Sequence, residues 1–307
     1  MDIAFIDNVL FATVRTATPL LLVALGVMIS ERSGVLNLGQ EGMVLVGAAL
    51  AFIAAYVTGN MGWGIIAGAF AGMLVSVLFA FIALSLMANQ VATGLALTIF
   101  GTGLSAFVGA DYVGQSIAGL SPISIPLLSS IPFIGKAFFA QDIMVYLSFC
   151  LFGGLWWLMR ATRLGLIIRS VGENPEAAHA LGYPVRKIRY CAVLFGGAMA
   201  GLAGAYLSLA YTPMWSEGIA AGRGWIALAL VVFASWRANR VLFGAWLFGF
   251  ASILHLLLQG YGYAISPNLL AMLPYLVTII VLVIMMQRKQ GGSDAPRSLG
   301  RPFSPSR

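Results

Sequence analysis

Long apolar stretches, broken by short polar ones, run through almost the whole chain. Nine of them suit a bilayer, near residues 10–29, 42–58, 63–87, 91–109, 142–159, 191–211, 224–236, 241–258 and 269–286. A span needs about 20 residues of helix to cross a hydrocarbon core of roughly 30 Å. The pattern predicts an all-α, polytopic membrane helix bundle of about 9–10 transmembrane helices, the tenth being a re-entrant or split span near residues 31–42. The largest polar interruption is Arg160–Arg189, RATRLGLIIRSVGENPEAAHALGYPVRKIR, and its centre reads as one short helix. Asn174 suits the N-cap, Pro175 the first helical position, and Glu176 the positive end of the dipole. Ala177, Ala178 and Ala180 keep the helix slim, Gly182 supplies the residue after its end, and Pro184 prevents continuation. Two turns are too short to be stable alone, so this helix needs something to pack against.

Two other segments break the apolar pattern. SGVLNLGQEG, Ser33–Gly42, sets Asn37, Gln40 and Glu41 among Gly34, Gly39 and Gly42. SEGIAAGRGW, Ser216–Trp225, sets Glu217 and Arg223 among Gly218, Gly222 and Gly224. Counting spans puts the two on opposite sides of the membrane, the placement an inverted-topology repeat would leave. Their sequences do not align, and plain glycine-rich turns would read the same way. Gly196, Gly197, Gly201 and Gly204 in one span are at the spacing that lets helix backbones approach closely.

Composition agrees with the pattern. Sixty per cent of residues are hydrophobic, 9 % are charged and the mean hydropathy is +0.95, whereas a soluble domain carries about 25 % charged residues. The net charge of +7 is a topology signal and does not point to nucleic acid. Arg32, Arg160, Arg163, Arg169, Arg186, Lys187, Arg189, Arg237, Arg240, Arg288 and Lys289 all fall on one side of the nine-span arrangement. By the positive-inside rule that side, with the 160–190 loop and the tail, is cytoplasmic. Asp2 and Asp7 stand where a secretory leader would be basic, so no leader is expected. Cys150 and Cys191 read as small hydrophobes rather than a disulfide pair.

Candidate chemistry is sparse. None of the three lysines (Lys136, Lys187, Lys289) lies in a phosphate-binding loop, and no H-E-x-x-H or G-x-S-x-G is present. His179 falls in the short polar helix and His255 within a span, a functional candidate by location but without a partner in sequence. Charged residues sit mostly at span ends, which argues against a channel or a proton-coupled carrier. Energy delivered from outside through the 174–181 helix fits better. A bundle with a docking helix and no ATP site is what the membrane half of an ATP-driven importer requires.

Two stretches carry a resemblance. ERSGVLNLGQEGMVLVGA (Glu31–Ala48) and VGENPEAAHALGYPVRKIRYCAVLFGGAMAGLAGAY (Val171–Tyr206) resemble the permeases of bacterial ABC importers for branched-chain amino acids, ribose and other simple sugars, and nucleosides. The NLGQEG ending and GRGWIALALVVFASW (Gly222–Trp236) are most similar to the nucleoside and simple-sugar branch. The resemblance implies an inner-membrane permease subunit, residues 1–287, that binds no cofactor itself. Its implied partners are a second permease subunit, a cytoplasmic ABC ATPase carrying ATP and magnesium, and a periplasmic or lipid-anchored substrate-binding protein. It also implies that Glu173, Asn174, Pro175, Glu176, Ala177, Ala178, His179, Ala180, Leu181 and Gly182 form the helix that couples to the ATPase. Asn37, Gln40, Glu41, Asn89, Gln90 and Thr93 are candidates for the path of a small polar solute. Asn89 and Gln90 would equally suit a tight turn, and Glu41 an ion pair with Arg32. Residues 288–307 are expected to be a disordered cytoplasmic tail. A branched-chain amino-acid permease and an ion-coupled secondary transporter remain as alternatives.

Overall fold

The computed structural model describes residues 3–129, 131, 134–260 and 295–304, with isolated positions between the last two ranges. α1 (Ile3–Arg32) has 30 residues, about 45 Å of helix at 1.5 Å per residue. A non-helical stretch, residues 33–39, leads to α2 (Gln40–Thr58), which Gly59 ends in the left-handed conformation at φ 66°. The Asn60 side chain caps α3 (Met61–Ala80), which runs on in a wider turn to Ser85. Asn89 caps α4 (Gln90–Gly109) in the same way. A rim of short pieces follows: β1 (Ile123–Ser124), α5 (Gly135–Phe139) and β2 (Ala140–Gln141), with β1 and β2 antiparallel. The Asp142 carboxylate then accepts the Met144 and Val145 N–H groups and starts α6 (Ile143–Ala161). α7 (Arg163–Glu173), α8 (Pro175–Ala180) and α9 (Val185–Tyr206, continued to Tyr211) come next. α10 (Arg223–Phe233) and α11 (Ala238–Gly260) complete the described bundle.

α9 is the hub, because its small residues let three helices close on it at once. Gly196 meets Gly26 and Ser30 of α1, Gly197 meets Gly72 and Ser76 of α3, and Gly201 meets Gly47 of α2. A Cβ on Gly47 would stand 2.6 Å from the Gly201 Cα, a distance real side chains do not reach. The spacing seen in the sequence is therefore bundle packing. The outside is apolar: Trp63, Ile66 and Phe70 on α3, and Ile99 and Phe107 on α4, are exposed. That distribution suits hydrocarbon as solvent.

Among the described residues six helices are long and apolar enough to cross a membrane, and α10 and most of α11 are shorter apolar helices. These eight coincide with eight of the nine spans expected from sequence; the ninth, 269–286, lies outside the described residues. Two expectations change. The glycine-rich segments 33–42 and 216–225 do not stay as separate turns at their own rims: they meet inside the bundle, through Glu41 and the start of α10. Residues 295–304 of the supposedly disordered tail pack against α7, α8 and α9. A span count cannot register either fact, since both depend on pairings more than 100 positions apart.

Candidate translocation path and coupling surface

Residues 33–39 leave one rim of the bundle and descend along α4. The segment lacks a regular ladder, so its backbone is satisfied by side chains. Leu36 N–H donates to Gln90 Oε1 at 2.8 Å, and Thr98 Oγ1 donates to the Leu38 carbonyl at 3.0 Å. Gly39 N–H donates to Asn37 Oδ1 at 2.9 Å, closing a tight turn into α2. Gly94 is required between these contacts, because a Cβ there would stand 2.7 Å from the Leu38 nitrogen. Gln90, Thr93, Gly94 and Leu97 thus form one buried stripe of α4 at helical spacing.

Glu41 closes the junction. Its Oε1 accepts the Gly222 N–H at 2.7 Å and its Oε2 the Gly224 N–H at 2.6 Å. A carboxylate held by the open N–H groups of a helix N-terminus is a favourable arrangement, reinforced by the helix dipole. Gly222 takes φ +80°, which suits glycine, and a Cβ on Gly224 would fall 2.6 Å from the Glu41 Cα. Among the described residues no ion pair joins Glu41 to Arg32. Arg32 turns instead to the Trp236 carbonyl, with Nε at 3.2 Å and Nη2 at 3.0 Å, while Trp236 Nε1 donates to Glu31. The 11 residues of α10 separate that level from the Glu41 junction, about 16 Å of helix against a hydrocarbon core of about 30 Å. The junction is deep in the bundle.

Gln40 is fully buried beside it, and among the described residues neither atom of its amide has a hydrogen-bond partner. Gln90 spends its oxygen on Leu36, and among the described residues its nitrogen has no partner. Unsatisfied buried amides are uncommon enough to need a reason. Asn89 differs: it is exposed and accepts the Ala92 N–H at 3.1 Å, so it is a helix cap. Of the six candidates the structure therefore gathers Asn37, Gln40, Glu41, Gln90 and Thr93 around the junction and its α4 wall, and leaves Asn89 at the rim.

At the basic rim, Asn174 Oδ1 accepts the Ala177 N–H at 3.0 Å and starts α8. Gly182, at φ +87°, ends it, its N–H donating to the His179 carbonyl at 2.8 Å. Ala178 faces inward with Val171 of α7 and Val185 of α9. Glu173, Glu176, Ala177, His179, Ala180, Leu181 and Gly182 are exposed, Leu181 at 78 %. An apolar side chain displayed on a turn that already has its own core is free for a partner. His255 falls in α11, its side chain outside the described residues. Two features are not legible in the sequence: Arg189 is buried, and residues 295–304 supply two of its three acceptors, Ser298 Oγ at 3.0 Å and the Arg301 carbonyl at 3.1 Å. Arginine next to a span reads as a topology marker, and nothing local reveals a distant acceptor.

A lipid-facing bundle with a broken polar segment at its centre and a displayed helix at its rim is the form of a membrane transport protein. The sequence matches the family described as branched-chain amino acid transport system / permease component over residues 9–285. The chain belongs to that family: it is a multi-pass permease component, not an enzyme. Similar proteins include the ABC transporter permease protein TsgC13 of Haloferax volcanii, named provisionally for glucose, 44 % identical over 91 % of this chain and 92 % of that protein. The guanosine ABC transporter permease protein NupQ of Bacillus subtilis is 35 % identical over 99 % of this chain and 98 % of its own length. The nucleoside ABC transporter permease protein NupC of Lactococcus lactis is 34 % identical over 92 % of each.

Proposed function

We propose that this chain is the inner-membrane permease subunit of an ATP-driven importer for a nucleoside or a simple sugar. The observation that carries the reading is α8: a capped helix seated on its own small core, with Leu181 and the Glu176 face displayed at the basic rim. The positive-inside rule makes that rim cytoplasmic, where a separate ATPase would dock on residues 173–182 and carry the ATP and magnesium. A second permease subunit would complete the path, and an external binding protein would deliver the solute. The substrate class is supported by the names of the relatives, which specify glucose, guanosine and nucleosides. Gln40 and the Gln90 nitrogen are unpaired donors and acceptors for a neutral polar solute. Asn37 and Glu41 hold the backbone that shapes the junction.

The test is uptake by the complete importer in proteoliposomes. ATP-driven accumulation of guanosine or glucose, with none of leucine, is expected; the permease alone should hydrolyse no ATP. Leucine uptake would move the chain to the amino-acid branch. Uptake driven by an ion gradient without the ATPase would make it a secondary transporter.

A further inference from the structure

Residues 295–304 take no part in the path just described, yet they are built into the rim. Ser298 is buried; its N–H and its hydroxyl both donate to the Gly172 carbonyl, at 3.0 and 2.7 Å. The same hydroxyl accepts from Arg189 Nη2, Arg189 Nη1 donates to the Arg301 carbonyl, and Arg189 Nε donates to the Ser33 carbonyl at 3.1 Å. Gly300, at φ +76°, donates its N–H to the Gly34 carbonyl at 3.2 Å. Phe303 joins the small core of Val171, Ala178 and Val185, its ring edge-on to His179 of α8 with centroids 5.7 Å apart. Arg189 is 1 % exposed and pairs with no carboxylate among the described residues, so its guanidinium must find neutral acceptors. Two of its three acceptors belong to this segment. That need explains why a Gly/Ser/Pro-rich stretch folds back instead of staying in water.

Folding back creates a cleft of about 330 Å³ along the first turn of α8. Glu173 and Glu176 stand on one wall, and Arg297, Arg301 and Phe303 on the other. Arg297 Nε lies 3.9 Å from Glu173 Oε2, but both side chains are well exposed, so this pair holds the walls together only weakly. The lining is polar and carries both signs of charge, which suits a protein loop and not a lipid chain.

We propose that residues 295–304 form the second wall of the ATPase-docking surface, with a segment of the ATPase subunit seated between them and α8. Arg189 is the positioning residue that holds this wall in place from beneath. The inference rests on reading α8 as the coupling helix: one wall of the cleft is α8 itself, so a partner that reaches Pro175 and Glu176 must also meet Arg301 and Phe303.

The experiment measures binding of the purified ATPase to the assembled permease in nanodiscs, with three variants compared to wild type. Leu181→Asp tests α8. Arg301→Glu reverses a side chain on the second wall while keeping the backbone carbonyl that Arg189 uses. Deletion of residues 295–307 removes that wall altogether. Binding weakened about tenfold or more by Arg301→Glu as well as by Leu181→Asp, the effect of a single important interface residue, is the expected result. Weakening by Leu181→Asp alone, with Arg301→Glu and the deletion at wild-type affinity, would overturn the second wall and leave the coupling reading standing. No effect from any variant would overturn both. Because the deletion strands Arg189, poor folding there is answered by Arg301→Glu, which disturbs no buried contact.

Discussion

The turn around α8 and the junction around Glu41 are both polar breaks in an apolar chain, but they are held in opposite ways. The α8 turn is made almost wholly from its neighbours in sequence: Asn174 caps Ala177, and Gly182 closes on His179. The Glu41 junction joins residues 181 and 183 positions apart, through a carboxylate whose bond to Gly224 is buried and whose bond to Gly222 is partly so. Local capping is cheap to lose and leaves the bundle standing. A buried carboxylate bonded to two distant N–H groups is part of the bundle itself. The protein thus keeps its displayed surface energetically separate from its centre.

That contrast orders the expected effects of mutation. Glu41→Ala should cost most, about 3–5 kcal/mol, because it removes two hydrogen bonds to a charged group and strands the buried Gly224 N–H and the partly buried Gly222 N–H. It should appear as a large drop in the thermal midpoint or in the yield of assembled importer. Glu41→Gln keeps one good acceptor and should cost about half as much; equal losses in the two variants would mean that charge and not hydrogen bonding holds the junction. Asn174→Ala should cost about 1 kcal/mol, the value of one cap. Its effect should be on uptake per ATP hydrolysed, with bundle stability unchanged. A fall in global stability as large as that of Glu41→Ala would erase the distinction between the two regions. Gln40→Leu should change stability least or even raise it, since it replaces an unpaired buried amide with an apolar group of similar size. It should still lower solute uptake. Wild-type uptake in that variant would remove Gln40 from the path.

The same contrast explains what could be read from the chain. The start and end of α8 were legible because caps, proline and glycine act within four residues. Six described helices lie where apolar runs of span length put them, because hydrocarbon demands continuous helix, and two shorter ones also fall on apolar runs. The packing role of Gly197 and Gly201 followed from their spacing alone. Glu41 was visible as a polar residue in the wrong place, but its partners were not. Gly222 and Gly224 lie in another break, which span counting put on the opposite face. An 11-residue helix that reaches only part-way through the bundle defeats such a count. Ser298 was misjudged for a related reason: low hydrophobicity predicts disorder, unless a buried arginine elsewhere needs the segment's oxygens.

In the proposed function, energy reaches this permease through α8 from a separate ATPase. A photo-crosslinking residue placed at Leu181, 78 % exposed at the end of that helix, tests it most directly in the assembled importer. The account predicts one adduct, with the nucleotide-binding subunit, and loss of ATP-driven uptake in proportion to its formation. Uptake that continues at full rate after Leu181 is crosslinked, or an importer that runs with no ATPase adduct at this position, would contradict it.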